Sequence, residues 1–287
     1  MKSQLPVVAL FRPLSLLLLT VATGITASHI AEPVLPSPPA SAANGGVGAP
    51  SSVLVFTRTE GFAHASIADG VTMIEDFGLE DGYAVTVTAD TALFTPTSLA
   101  SFDVVVWLST TGDVLDPSHQ VAFEGYMRGG GGYVGIHAAA DCEYAWPWYG
   151  ELLGGGAWFL SHPAIQTATL ELEDGAHPGA GFTEPTTSFN DEWYNFQANP
   201  RPGVNVILTL DESSYDPGAG AMGADHPITW AHDFEGGRAF YTGLGHRSET
   251  FADPRFRAQI RGAIAWAAGS TEAVFADGFE SGTAAAW

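Results

Sequence analysis

Gly129-Gly130-Gly131-Gly132-Tyr133-Val134-Gly135-Ile136-His137-Ala138-Ala139-Ala140-Asp141 is the stretch that decides the fold. Four glycines release the chain from an amphipathic helix, a short apolar strand comes next, and His137 stands where small residues open the next helix. A polar side chain at a tight strand-to-helix turn is held above the carboxyl end of a sheet, where open α/β sheets place ligands and chemistry. On local pattern alone a turn with a packed or capping histidine fits equally well.

The neighbouring segments fit a sheet around that turn. Val53 to Phe56 is a continuous apolar run, as expected of a strand buried on both faces. The polar loop Thr57 to His64 leads into a helix with Ile67, Val71, Ile74 and Phe77 at helical spacing, and Gly78 is expected to stop it. Tyr83 to Val87 alternates, and Phe102 to Leu108 is a further buried strand. Asp116 and Pro117 read as the N-cap and first residue of a helix through Val121, Phe123 and Tyr126. Helices separating apolar strands predict a three-layer α/β fold, a mostly parallel sheet with helices on both faces. The second half reads as irregular and loop-rich. Strands are expected at Ile165 to Leu172, Val204 to Leu210 and Arg238 to Tyr241, and a last helix at about 254 to 268.

Of the 287 residues 46% are apolar, enough for a large core. The charge is −22, with 32 acidic residues against 10 basic and Lys2 the only lysine. That balance excludes a phosphate backbone or an anionic membrane as partner. One cysteine, Cys142, excludes an internal disulfide and any zinc site built from several thiolates. Residues 1–27 read as an export signal: Lys2 and Arg12, the apolar run Leu14 to Val21, and a small residue at Ala27. The run is short for a membrane span, so no stable span is expected after cleavage. A secreted or periplasmic location is the expectation. Residues 28–51 form a Pro/Ala/Gly-rich leader, 52–269 the domain, and 270–287 an appended tail.

The residues also resemble one family, the ThuA-like (trehalose utilisation) proteins, a branch of the class I glutamine amidotransferase-like, flavodoxin-like fold. The blocks that carry the resemblance are Gly61 to Ile67, Gly130 to Asp141, Trp146-Pro147-Trp148-Tyr149, His177-Pro178, Asp191-Glu192-Trp193-Tyr194, Asp225 to Trp230, Gly237 to Tyr241, and Gly245-His246. Ala63 departs from the arginine common in the first block. The resemblance implies that the elbow, which carries a cysteine nucleophile in amidotransferases, carries His137 here. Cys142 lies about one helical turn later, so amidotransferase chemistry is not expected. The family context implies carbohydrate catabolism beside an oxidoreductase that makes keto-sugars.

His64, His137, His162, His226 and His246 fall at strand ends or loops rather than on periodic faces. Three roles are open to them. A neutral His137, its charged form disfavoured by a helix N-terminus, is a general base with Asp191 or Glu192 as acid or orienter. Alternatively His64, His137, His226 and His246 bind a divalent metal such as zinc or manganese. In the third they serve structure alone. His64, Trp146, Trp148, Tyr149, Trp193, Tyr194 and Arg247 are the candidates for holding a small carbohydrate, because sugar rings stack on aromatic faces; Arg58 is a further candidate for the rim. The expected function is a sugar-modifying enzyme acting on a glycoside or keto-sugar. The alternative is a noncatalytic carbohydrate-binding protein on the same scaffold.

Overall fold

Eleven strands and six helices make up residues 50–269, the part of the chain that this computed structural model describes. The expected signal, most of the leader and the tail lie outside the described residues. In chain order the elements are β1 (Ser52–Phe56), α1 (Ile67–Asp81), β2 (Ala84–Thr88), α2 (Pro96–Leu99), β3 (Val104–Leu108), α3 (Pro117–Arg128) and β4 (Gly132–Ile136). Next come α4 (Pro147–Leu152), β5 (Phe159–Ser161), β6 (Gln166–Leu172), β7 (Thr186–Asp191), β8 (Asn195–Phe196) and β9 (Asn205–Asp211). The chain continues with β10 (Pro227–Phe234), β11 (Gly237–Thr242), α5 (Ser248–Ala252) and α6 (Pro254–Ala267). Among the described residues no helix is long and apolar enough to cross a membrane.

Nine strands form one sheet in the order β2-β1-β3-β4-β11-β10-β9-β6-β7, and β5 pairs with β8 apart from it. The first five run parallel; from β11 onward each neighbouring pair is antiparallel. Seven of the nine therefore point the same way, with only β10 and β6 reversed. Every residue of β3 and β4 is buried, as a strand covered on both faces requires. Helices α1, α5 and α6 cover one face and α2 and α3 the other. On β4 the two faces are plain: an atom in place of a Gly132 side chain would lie 2.5 Å from the Ala267 carbonyl of α6. Tyr133, on the opposite face, packs edge-on to Trp107 and Phe123.

The helix starts behave as their sequences dictate. The Asp116 carboxylate accepts the backbone N–H of Ser118 and His119, and Pro117 opens α3. Gly78, read as a stop, lies inside α1. The helix ends at Gly82, whose φ of +80° lets it take the left-handed cap. Gly78 is required instead by packing, because a Cβ there would sit 2.6 Å from Val85 Cγ2 of β2.

The second half departs most from expectation. β9, β6 and β7 carry the sheet on by three antiparallel strands beyond β10. β7 falls between the strands expected at Ile165 to Leu172 and Val204 to Leu210. Its exposed positions Thr186 and Ser188 alternate with covered ones, so it has no continuous apolar run to announce it.

Candidate functional site

Because β1, β4, β7 and β11 point the same way, their carboxyl ends share one rim of the sheet. His64 lies after β1, His137 after β4, Glu192 after β7 and His246 after β11. One donor atom from each lies within 4.8 Å of the others. β7 is four strands from β11, and a flat sheet would put about 19 Å between them. Glu192 nevertheless reaches the other three, so the antiparallel extension curls back over the rim.

His137 is the pivot. It is fully buried and sits at φ +51°, a left-handed conformation that is strained for a side chain with a Cβ. The residues His137–Ala140 form a four-residue 3-10 helix rather than the start of an α-helix. The expected helix-dipole effect on the His137 charge therefore has no long helix behind it. Hydrogen bonds fix the turn instead. Tyr241 Oη donates to the His137 carbonyl at 2.7 Å and Tyr149 Oη to the Ala139 carbonyl at 2.7 Å. The imidazole Nδ1–H donates to the Gly243 carbonyl at 2.9 Å, because a carbonyl can only accept. In the neutral ring Nε2 is then a bare acceptor, and it lies 3.5 Å from Glu192 Oε2.

The other rings close round the same carboxylate. His246 Nδ1 is 3.1 Å from Glu192 Oε2, and His162 Nδ1 is 3.1 Å from Oε1. The His64 ring stands edge-on to His137 at 4.8 Å and to His246 at 5.1 Å. Burial, reinforced by the neighbouring His137 and His246, pushes His64 down to about 3, so it is neutral at physiological pH. Burial alone would raise the Glu192 pKa; the close approach of His137 and His246 outweighs it and holds the carboxyl below its usual range. The bond to Glu192 raises His246, against its burial.

The loops are locked to one another. Thr111 Oγ1 accepts from Gly61 N and donates to the Phe62 carbonyl, which steadies the His64 loop; Ser66 Oγ donates to the Gly245 carbonyl. Gly245 has φ +118°, and a Cβ there would meet Ile136 Cγ2 at 3.0 Å. No other residue lets the His246 loop come so close to the elbow.

Several expected site residues lie elsewhere. Asp191 is fully buried and is not one of the four clustered donors. It accepts from Gly245 N, Arg247 N, Glu192 N and Thr250 Oγ1, so it positions the His246 loop rather than meeting substrate. His226 is at the rim, but its Nε2 is bonded to the Tyr194 carbonyl and its Nδ1 faces Glu212 and Tyr215, so Glu192 takes its place in the cluster. Trp146 and Trp148 stack on each other and donate to Glu124 and Glu235; Tyr149 stacks on Trp107 in the core. Trp193 is buried with its Nε1 on the Gln166 carbonyl. Arg247 pairs with Asn190 and Glu249, and Arg58 with Glu60. Of the expected aromatics only Tyr194 borders the cluster, its ring 4.3 Å from His137. Sequence reasoning passed over Phe62, 66% exposed and 4.8 Å from the His64 ring, and Phe159, 4.3 Å from Tyr194. Phe62 stands in the His64 loop, and an apolar side chain in a polar loop is the signal that could have found it. Cys142 is buried against the Gly112 carbonyl, and burial pushes its thiol up, so it is no nucleophile.

The model of the family described as ThuA, trehalose utilisation, matches residues 52–267. The chain belongs to the ThuA family. A ThuA-like protein from Bacteroides uniformis ATCC 8492 is similar in structure, with a TM-score of 0.65 and 26% identity over 80% of this chain and 95% of that one. One from Parabacteroides merdae ATCC 43184 has a TM-score of 0.60 and 20% identity over 78% of this ThuA chain and 92% of its own. A β-galactosidase from Bacillus circulans sp. alkalophilus shares the fold alone, at a TM-score of 0.50 and 13% identity over 77% of this chain and 31% of that one. No curated protein sequence matches the chain.

Proposed function

We propose that this ThuA protein is an exported enzyme of carbohydrate catabolism that acts on a glycoside or keto-sugar at the Glu192–histidine cluster. The observation that supports it most is the convergence of His64, His137, Glu192 and His246 from four strand ends, with His162 at the mouth. Assembling such a group costs burial and backbone strain, and neither is needed for the fold. The family's connection with trehalose utilisation supports a sugar as the substrate.

The chemistry such a site supports is proton movement around a sugar oxygen. On a keto-sugar the ketone acidifies the hydrogen on the neighbouring ring carbon. Its removal by a base, with protonation of a glycosidic oxygen one carbon further on, breaks the glycosidic bond by elimination. On an ordinary glycoside the same donors and acceptors would assist hydrolysis. Phe62, Phe159 and Tyr194 offer aromatic faces for the apolar side of a sugar ring.

The test is a screen of disaccharides and their 3-keto derivatives with the purified chain and its His137→Ala variant. Turnover that His137→Ala abolishes is the expected result. Saturable sugar binding without product, or equal turnover by a folded His137→Ala variant, would overturn it.

A further inference from the structure

The Glu192 cluster leaves the buried ring nitrogens His64 Nδ1 and His137 Nε2 without a hydrogen-bond partner, and His246 Nδ1 faces Glu192 Oε2 alone, at 3.1 Å. Buried polar atoms are almost always hydrogen-bonded, so such a group of ring nitrogens calls for an explanation. The conflict is sharpest at His137. Its one neutral-ring proton is committed to Gly243, so Nε2 and Glu192 Oε2 confront each other as two acceptors at 3.5 Å. A proton on either group, or a metal ion between them, relieves that. A second proton on His137 would satisfy that ring and still leave His64 Nδ1 without a partner. A cation placed among them satisfies all three.

From this geometry we infer that His64, His137, His246 and Glu192 form a binding site for one divalent first-row transition metal ion. Three imidazoles and one carboxylate suit zinc and its neighbours, whereas magnesium and calcium take oxygen ligands. Bonds of about 2.0 Å place tetrahedral donors about 3.3 Å apart. The contacts of Glu192 Oε2 with His137 Nε2 and His246 Nδ1, at 3.5 and 3.1 Å, bracket that value. The widest separation, 4.8 Å, requires a modest contraction on binding. The Gly243 carbonyl holding His137 Nδ1–H is the outer-shell contact that orients a metal-binding histidine. The His246 side chain is 22% exposed and that of His162 42%, so the group opens on one side, where substrate or water can approach. With an ion bound, His137 Nε2 is a ligand, and His162 is the ring left to carry protons at the mouth.

This inference concerns binding and stands apart from the choice of substrate. The experiment strips the full chain with a chelator, then titrates Zn²⁺ alone, counting bound ions by mass spectrometry and reading Co²⁺ by its visible spectrum. One ion per chain is expected, with a rise in Tm. His137→Ala, His64→Ala and Glu192→Gln should each weaken affinity at least 10-fold and remove that rise. His119→Ala, outside the cluster, should bind as the parent does. If His137→Ala fails to fold, His246→Ala at the mouth carries the same expectation. Lack of stoichiometric binding by the folded parent, equal occupancy by Mg²⁺ as on a merely acidic surface, or unchanged affinity in folded His246→Ala and Glu192→Gln variants would overturn it. Sugar turnover plays no part in the readout, so metal binding and substrate class fail separately.

Discussion

Replacing Asp191 separates holding the site from taking part in it. Its carboxylate accepts four donors: the N–H of Gly245, Arg247 and Glu192, and the Thr250 hydroxyl. Asp191→Ala leaves them without this acceptor in a buried place. The Thr250 hydroxyl can turn, but the backbone N–H groups cannot, and each unsatisfied buried donor costs about 1–3 kcal/mol. Burial raises the Asp191 pKa despite those bonds, so the ionised carboxylate carries a desolvation penalty that the substitution removes. The balance is a loss of about 3–4 kcal/mol, or about 10 °C in Tm for a domain of this size. Asp191→Asn keeps Oδ1 for Glu192 and Arg247, lets Thr250 turn to accept from the amide, and strands only Gly245 N–H. It should lose about 1–2 kcal/mol. Urea denaturation of both variants checks these values. An Asp191→Ala loss below about 1 kcal/mol, or an Asp191→Asn loss equal to it, would show that the carboxylate is not what ties β7 to the His246 loop.

Other perturbations probe different parts of the same framework. Gly245→Ala forces a Cβ into φ +118° and to 3.0 Å from Ile136 Cγ2, and should cost about 2 kcal/mol or more in denaturant melts. Phe62→Ala removes an exposed ring beside His64 without touching the core; KM for the sugar should rise several-fold while Tm and kcat stay near the parent's. Glu143, fully buried, is pushed up to about 7 by burial although Val114 N, Leu115 N and Gln120 donate to it. Between 4.5 and 7 the folded state therefore binds the extra proton. Stability should fall by up to about 1.4 kcal/mol per pH unit as pH rises through that window, and Glu143→Gln should flatten the fall in pH-dependent melts.

The parallel half of the sheet was legible because each strand announces itself. Val53 to Phe56 and Val104 to Leu108 are unbroken apolar runs, and Asp116-Pro117 is a cap with one meaning. His64, His137 and His246 were legible as a group because each comes after such a strand. β7 has alternating Thr, Ser and Asn instead, and its place depends on pairing with β6, which no local pattern encodes. For the same reason the sequence paired His137 with Asp191 or Glu192 but could not choose between them. The places of the aromatics were hidden for a different reason. A tryptophan at a motif reads the same in sequence whether it faces solvent or the core, and Trp146, Trp148 and Trp193 spend their indole N–H groups on Glu124, Glu235 and the Gln166 carbonyl.

A buried histidine at the strand-to-helix elbow decides what the turn is for. A thiolate nucleophile needs an open approach and a donor to stabilise it, and the strain of the left-handed turn serves to present it. His137 has the strain, at φ +51°, but no exposure, and its outer nitrogen points at a carboxylate instead of at solvent. A buried ring held by a carbonyl on one nitrogen and facing Glu192 with the other is poorly placed to attack a substrate. It is well placed to hold something that Glu192 also holds. The elbow has thus become one wall of a four-sided cage, and the curl of the antiparallel strands, which delivers Glu192, closes it. Removing the Glu192 side chain alone should therefore leave the elbow folded, because the Tyr241, Tyr149 and Gly243 contacts that set it do not involve Glu192.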